Sequence, residues 1–264
     1  MNSTHDVRAG TRRFAGRVVM ITGGGAGIGR HYAFRFADEG ATLVITDLDG
    51  ALSQKVAAEL REQGADAVSA TVDVTDADQA AVAVDAATRR FGGVDVLVNN
   101  AGIHLEHAQL PFTLDAVADW RRVLDVNVLG ALTCALACRP AMSGRTGAAA
   151  LNHSSMAAYS ANGAYGVSKL ALNSLTLSLA AEFADDGIRV NGIAPGLVDS
   201  ESAVAWMEDP VRLGVQDQLV SGQLIRRPGR MADLASAALF LCSADSSFVT
   251  GQTLLVDGGF TRRV

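Results

Sequence analysis

Tyr165 and Lys169 stand four positions apart in AYGVSKLALNSL, residues 164 to 175, a stretch otherwise made of small and apolar residues. On a helix, Tyr165, Lys169, Leu172, Thr176 and Leu179 share one face. A lysine on such a mostly apolar stripe either snorkels out at the edge of a core or is held near the tyrosine for a chemical reason. The pair alone does not decide, because chance Tyr-x-x-x-Lys pairs are common and most are surface contacts.

A second chemical stretch is TGGGAGIGR, with Thr22, Gly23, Gly27 and Gly29 in the spacing T-G-x-x-x-G-x-G. It follows the apolar run RVVMI and opens a helix near Ile28. Glycines there let the backbone turn sharply against a pyrophosphate at the positive end of the helix. Arg30 and His31 follow Gly29 where a phosphate-binding Walker loop would carry Lys and Ser or Thr. Asp47, at the end of TLVITDLD, stands close to the distance at which an acidic residue meets the adenosine ribose hydroxyls. Its carboxylate would accept from a 2′-OH and repel a 2′-phosphate, and Ala26 and Leu48 offer no basic group. NAD is therefore expected over NADP. Asp47 also reads as a turn former before Leu48-Asp49-Gly50, a role compatible with the first. Asp73-Val74, read as the end of the third strand, would sit over the adenine edge.

Other candidates are weaker. His104 and His107 around Glu106 read as surface or pocket-rim residues rather than a metal pair. His153 could reach a substrate, but reads better as a satisfied strand-end histidine. Cys134 and Cys138 read as small buried residues on one helix. No metal is expected, and HSS lacks the G-x-S-x-G elbow of a serine hydrolase.

These residues need elements to carry them. Short apolar runs (RVVMI, TLVIT, AVSATV, VDVLVNN, GAAALNHS, IRVNGIAPG) alternate with longer helical segments, including one through Trp120 to Cys138. Strand–helix–strand at this spacing predicts right-handed crossovers and a parallel, doubly wound α/β sheet with helices on both faces. The rhythm breaks between Asp199 and Arg227, expected to form an active-site lid about 199–227. Residues 1–14 read as a disordered leader and 15–264 as one domain.

The chain has 264 residues, 49% hydrophobic, with a formal net charge of −6. It can bury a sizeable core, and it lacks the basic footprint of a nucleic-acid binder. Neither nucleic acid nor membrane is expected as a partner, since no apolar run is read as long enough for a span. Three cysteines suggest free thiols in a reducing, cytoplasmic setting.

Together, T-G-x-x-x-G-x-G at 22 to 29, Asn99-Asn100-Ala101-Gly102, Tyr165-x-x-x-Lys169, Pro195-Gly196 and GQTLLVDGG resemble the short-chain dehydrogenase/reductase family, in order from about Arg17 to Phe260. The resemblance implies a single-domain Rossmann fold, a nicotinamide cofactor, and interconversion of a secondary alcohol and a carbonyl. It implies that Tyr165 is the general acid/base, and that Lys169 holds the nicotinamide ribose and lowers the phenol pKa from its free value near 10. Ser155 would hydrogen-bond the carbonyl oxygen, with Ser154 bonding backbone behind the site, and Asn127 would orient a proton-relay water or bond a neighbouring strand. Cofactor contacts would come from Gly23, Gly27, Ile28, Gly29, Asp47, Leu48, Asp73, Val74, Asn100, Ala101, Gly102, Tyr165, Lys169, Pro195, Gly196 and Val198, with Ser200 a softer candidate. The family suggests a homotetramer.

Only nine residues separate Ser155 from Tyr165, fewer than the family commonly has, so the loop lining the substrate pocket must be shorter. His104, Leu105, Met156, Tyr159, Leu197, Val204, Trp206 and Met207 are the pocket candidates. They are mainly apolar, which points to a hydrophobic, alicyclic or aromatic small-molecule substrate. The rival reading is a non-catalytic dinucleotide-binding regulator, which would keep the glycine loop and lose the Tyr-Lys pair. An extended-type epimerase or dehydratase would need a longer chain for its substrate domain.

Overall fold

The computed structural model describes residues 12–104, 110–200 and 214–262. β1 (Val18–Thr22), β2 (Thr42–Asp47), β3 (Ala67–Thr71), β4 (Val96–Asn99), β5 (Ala149–His153), β6 (Arg189–Pro195) and β7 (Thr253–Val256) form one parallel sheet in the order β3-β2-β1-β4-β5-β6-β7. Met20 at its centre is in register with Val44 on β2 and Leu97 on β4. β1, β4 and β5 are buried along their whole length, which explains their near-continuous apolar sequences.

α1 (Gly27–Asp38), α2 (Gly50–Glu62) and α8 (Met231–Cys242) cover one face, where Tyr32, Phe36, Val56, Leu60 and Leu234 pack on Ile21, Ile45 and Val98. α3 (Ala77–Phe91), α5 (Gly130–Met142) and α6 (Gly163–Glu182) cover the other, where Val84, Cys138, Met142 and Leu179 pack on Met20, Val44 and Leu97. The doubly wound expectation holds. On α6 the stripe of Tyr165, Lys169, Leu172, Thr176 and Leu179 is buried as the helical spacing requires.

The structure amends several expectations. Phe14 does not belong to a loose leader: it is 1% exposed and packs edge-on against Phe36 at 4.8 Å, while Arg13 bonds Glu39. β3 ends at Thr71, so Asp73 and Val74 lie beyond the strand. The long helix begins at Val117 as α4 (Val117–Leu124) and reaches α5 through a π-helical segment, Asp125–Leu129. The run Val117–Met142 is long and apolar enough to cross a membrane by length and composition, contrary to the sequence reading. Its Cys134, Ala135, Cys138 and Met142 are instead packed against the sheet. A helix α7 (Val215–Gly222) lies within the span expected to be a lid.

Candidate active site

The strand order reverses between β1 and β4, and a crevice opens there at the carboxyl ends of the strands. Two loops build it. Gly23 has φ +61°, and a Cβ there would come 2.9 Å from the Cα of Ala101. A Cβ on Gly29 would collide with the Gly23 carbonyl and the Asn100 amide. Asn100 Nδ2 donates to the carbonyls of Thr22 and Gly23, both at 3.0 Å, and Thr22 Oγ1 accepts from the backbone N–H groups of Asn100 and Ala101. The glycine loop and the Asn99–Gly102 turn are thus locked together.

The resulting cleft is about 840 Å³. Gly23, Gly27, Ile28, Asp47, Leu48, Asp73, Val74, Asn100, Ala101, Gly102 and His104 all line it, as expected of a cofactor channel. Asp49 and Asp76 cap α2 and α3 with their side chains, whereas α1 begins at Ala26 without a side-chain cap, and open space lies where a Gly27 Cβ would be. The first N–H groups of α1 can therefore serve an anion in the cleft. Asp47 accepts from Gly25 N–H through Oδ2 at 2.9 Å and from Asp49 N–H through Oδ1 at 3.0 Å, which fixes its carboxylate at the cleft edge. The turn-forming and cleft-facing readings of Asp47 coexist.

At the inner end of the cleft, Gly102 brings the proposed catalytic groups together. A Cβ on it would lie 3.0 Å from Asn127 Oδ1 and 3.6 Å from Lys169 Nζ. Lys169 is 4% exposed, and its Nζ donates to the carbonyl of His153 at 2.8 Å and lies 5.5 Å from the centre of the Tyr165 ring. It is held, not snorkelling. Ser155 caps a short 3₁₀ turn, Met156–Tyr159, by accepting from Ala157 N–H at 3.1 Å, and its hydroxyl favours the ionised form of the Tyr165 phenol. Ser154 faces the other way and donates to the carbonyl of Lys169 at 3.2 Å. Asn152, still within β5, is fully buried, where it accepts from Asn99 and donates to Thr176.

The electrostatics depart from expectation. Burial pushes the Tyr165 phenol up to about 12, with the Ser155 hydrogen bond pulling in the opposite direction. Burial also lowers the Lys169 ammonium to about 8. The expected lowering of the phenol below 10 is therefore not what the chain alone displays: desolvation is the largest cause at both groups. His153, buried and bonded to Tyr32 through Nδ1 at 3.3 Å, is held well below the usual imidazole range by burial, reinforced by Lys169 and His104.

Asn127, in the π-helical segment, accepts from Ile103 N–H at 2.7 Å and donates to the Ile103 carbonyl and to Ser168 Oγ. Ser168 in turn donates to the Tyr165 carbonyl at 2.7 Å. Its structural reading is thus met by a loop rather than a strand. Pro195 ends β6, and Gly196 is packed so closely on Asp257 that a Cβ would come 2.7 Å from its Cα. Leu197 and Val198 do not line the main cleft: both are buried and line a separate cavity of about 150 Å³ with Gly229 and Leu234. Tyr159 turns its hydroxyl to Asn173 on α6, accepting from its Nδ2 at 3.0 Å. Met156 opens the 3₁₀ turn, and Ser200 is buried. Leu105, His107, Val204, Trp206 and Met207 lie outside the described residues.

Sequence reading missed the second wall of the cleft, formed by Ala118, Arg121, Arg122, Asp125, Val126 and Leu129. Their spacing of i, i+3, i+4, i+7, i+8 and i+11 was an available signal. It also missed the His153 carbonyl, which a side-chain motif cannot reveal.

A parallel sheet with a phosphate-ready crevice at its switch point, beside a buried Tyr165 and Lys169 with Ser155 next to them, defines a dinucleotide-binding oxidoreductase of the α/β class. A family model described as Enoyl-(Acyl carrier protein) reductase matches residues 23–261. The 7alpha-hydroxysteroid dehydrogenase of Escherichia coli K12 is 35% identical over 250 residues, covering 94% of this chain and 95% of that one. The cis-4-hydroxycyclohexanecarboxylate dehydrogenase of Sinomonas cyclohexanicum is 40% identical over 252 residues, 94% of this chain and 98% of that one. A solved 7 alpha-hydroxysteroid dehydrogenase complexed with NADH and 7-oxo glycochenodeoxycholic acid superposes with a TM-score of 0.86 at 35% identity, covering 94% of this chain and 96% of that one. The chain belongs to the short-chain dehydrogenase/reductase family, and it is an oxidoreductase.

Proposed function

We propose that this chain is an NAD-dependent dehydrogenase that interconverts a secondary alcohol and a ketone on a hydrophobic, alicyclic substrate. The observation that carries the reading is the Tyr165 phenol, flanked by a buried Lys169 that sits beside Gly102 in the wall of a dinucleotide-sized cleft. The relatives named above act on a hydroxysteroid and a hydroxycyclohexane acid, which supports the alicyclic class.

The residues present fit the dinucleotide. Glycine backbone and the uncapped start of α1 would take its pyrophosphate, and Asp47, with one lone pair of each oxygen already used, keeps acceptor capacity for the adenosine ribose hydroxyls. When bound, the nicotinamide supplies the hydride acceptor or donor. Tyr165 takes the proton of the alcohol oxygen during oxidation and returns it during reduction. Ser155 donates to the same oxygen and stabilises the charge that develops there. Lys169 spends one of its three N–H groups on His153 O, leaving two for the nicotinamide ribose and its positive charge for the phenolate. Asn127 fixes Ile103 against α6, and so aligns the Gly102 turn with Tyr165.

A homo-oligomer accounts for Leu136 on α5 and Val167, Leu170 and Leu177 on α6, apolar residues left exposed. Light scattering on the purified protein gives the subunit count. The three free cysteines fit a cytoplasmic setting.

The function is tested with a panel of alicyclic alcohols and ketones read by NADH absorbance. Wild type should turn over at least one member, and Tyr165→Phe should lose roughly a hundredfold to ten-thousandfold in turnover while still binding NADH. NADH binding with no turnover across the panel would favour the non-catalytic regulator.

A further inference from the structure

The helical wall of the cleft is chemically unlike the floor. The floor carries Asp47 and Asp73, whose carboxylates are already engaged by backbone N–H groups of Gly25 and Asp49 and by Thr75. The wall carries Arg121 and Arg122, both exposed. Arg13, Arg30, Arg139, Arg145 and Arg227 each pair with a carboxylate. Among the described residues, neither the Arg121 nor the Arg122 guanidinium has a hydrogen-bond or ion-pair partner. Two guanidinium groups therefore face a cleft whose other charged lining residues, His104 apart, are the acids Asp47, Asp73 and Asp125.

Their place along the cleft follows from the foot of the same helix. Gly130 sits against Val74, so closely that a Cβ would come 2.6 Å from its Cγ2. Leu129, the neighbour of Gly130, lies on the same cleft-lining stripe as Arg121, Arg122, Asp125 and Val126. The arginines thus belong to the side of the helix that meets Val74, and they share the cleft with Val74, Asp73 and Leu48. Asn127, on another side of the helix, faces Ile103 and α6, where Lys169 and Tyr165 lie.

We infer that Arg121 and Arg122 read the ADP half of the dinucleotide from the open side of the cleft, closing over the adenine and offsetting the acidic floor. The inference rests on the proposal that this cleft takes NAD. A guanidinium stacks on a flat ring, and its charge favours the adjoining phosphates in a cleft that is otherwise acidic. Both effects act on the adenosine side and leave the nicotinamide end untouched.

The test is binding, not turnover. NADH, ADP-ribose and reduced nicotinamide mononucleotide, which lacks the ADP half, are titrated into wild type and into Arg121→Ala/Arg122→Ala by fluorescence or calorimetry. The double variant should bind NADH and ADP-ribose roughly tenfold more weakly at low salt, two exposed stacking contacts together accounting for about 1.4 kcal/mol. Its affinity for reduced nicotinamide mononucleotide should match wild type, and the wild-type advantage should shrink as salt rises. NADH affinity unchanged by the substitutions, or an equal loss for the mononucleotide, would overturn the inference alone. Wild type that binds none of the three would overturn it together with the NAD reading. Both side chains are exposed, so melting temperatures should coincide and exclude a folding defect.

Discussion

At the scale of single residues, the division of labour between Ser154 and Ser155 follows from strand alternation and the 3₁₀ turn. Successive side chains at the end of β5 face opposite ways. Ser155 therefore reaches the phenol while Ser154 is buried against α6. Ser155→Ala should lower turnover roughly a hundredfold, the loss expected for one donor to developing charge. Ser154→Ala should act on melting temperature with little change in turnover. A Ser154 variant that melts normally but has lost turnover would reverse the assignment. Asp47 is the residue for cofactor choice: its carboxylate, fixed by two backbone N–H groups, would face a 2′-phosphate as an unpaired like charge. NAD should be preferred by about tenfold or more, a difference of about 1.4 kcal/mol. Asp47→Ser should narrow that preference, and equal efficiency with NAD and NADP in wild type would count against the role.

At the scale of elements, the π-helical segment is the least regular part of the site and the part that joins it. It places Asn127 inward, where one amide bonds the backbone of Ile103 twice and Ser168 once. Such π bulges occur often at functional sites because the extra residue re-aims a side chain. Asn127→Ala leaves the part-buried N–H and carbonyl of Ile103 without these partners, at up to about 1–3 kcal/mol for each group that water does not reach. Melting temperature and turnover should therefore fall together. If turnover collapses while melting and NADH affinity stay at wild-type values, Asn127 acts on a proton path and not through the Gly102 turn.

At the scale of the whole molecule, the parallel sheet gathers the ends of β1, β2 and β4 around one crevice, and burying Lys169 beside it, against the end of β5, carries a stability cost. Its ammonium is lowered to about 8 in the fold, against roughly 10.4 for an unperturbed lysine. Between those values the unfolded chain binds more protons than the folded one, so the Lys169 contribution to stability rises with pH across about 8 to 10.4. Below pH 8 the penalty is complete, about 1.4 kcal/mol for each unit of displacement. Tyr165 has the opposite sign: its phenol, raised to about 12, loses stability as pH climbs from about 10 toward 12. Lys169→Met should accordingly melt above wild type at pH 7, with the gap closing by pH 10. A gap that is constant from pH 7 to 10 would show that Lys169 keeps an ordinary pKa.

The sequence by itself determined the alternation of strands and helices, the glycine crevice and the Tyr165–Lys169 face, because each depends on spacing within one element or across one turn. α8 escaped that reading: MADLASAALFLC is apolar nearly all round, so a buried helix leaves no one-sided period to detect. Distances between elements were not legible either. Only the tertiary structure put Leu197 and Val198 in the lining of a separate small cavity, tied Tyr159 to Asn173, and tied Phe14 to the core. It alone decided the direction of the Tyr165 pKa. The charge four residues away is written in the chain, but the desolvation that opposes it depends on how completely distant segments cover both groups.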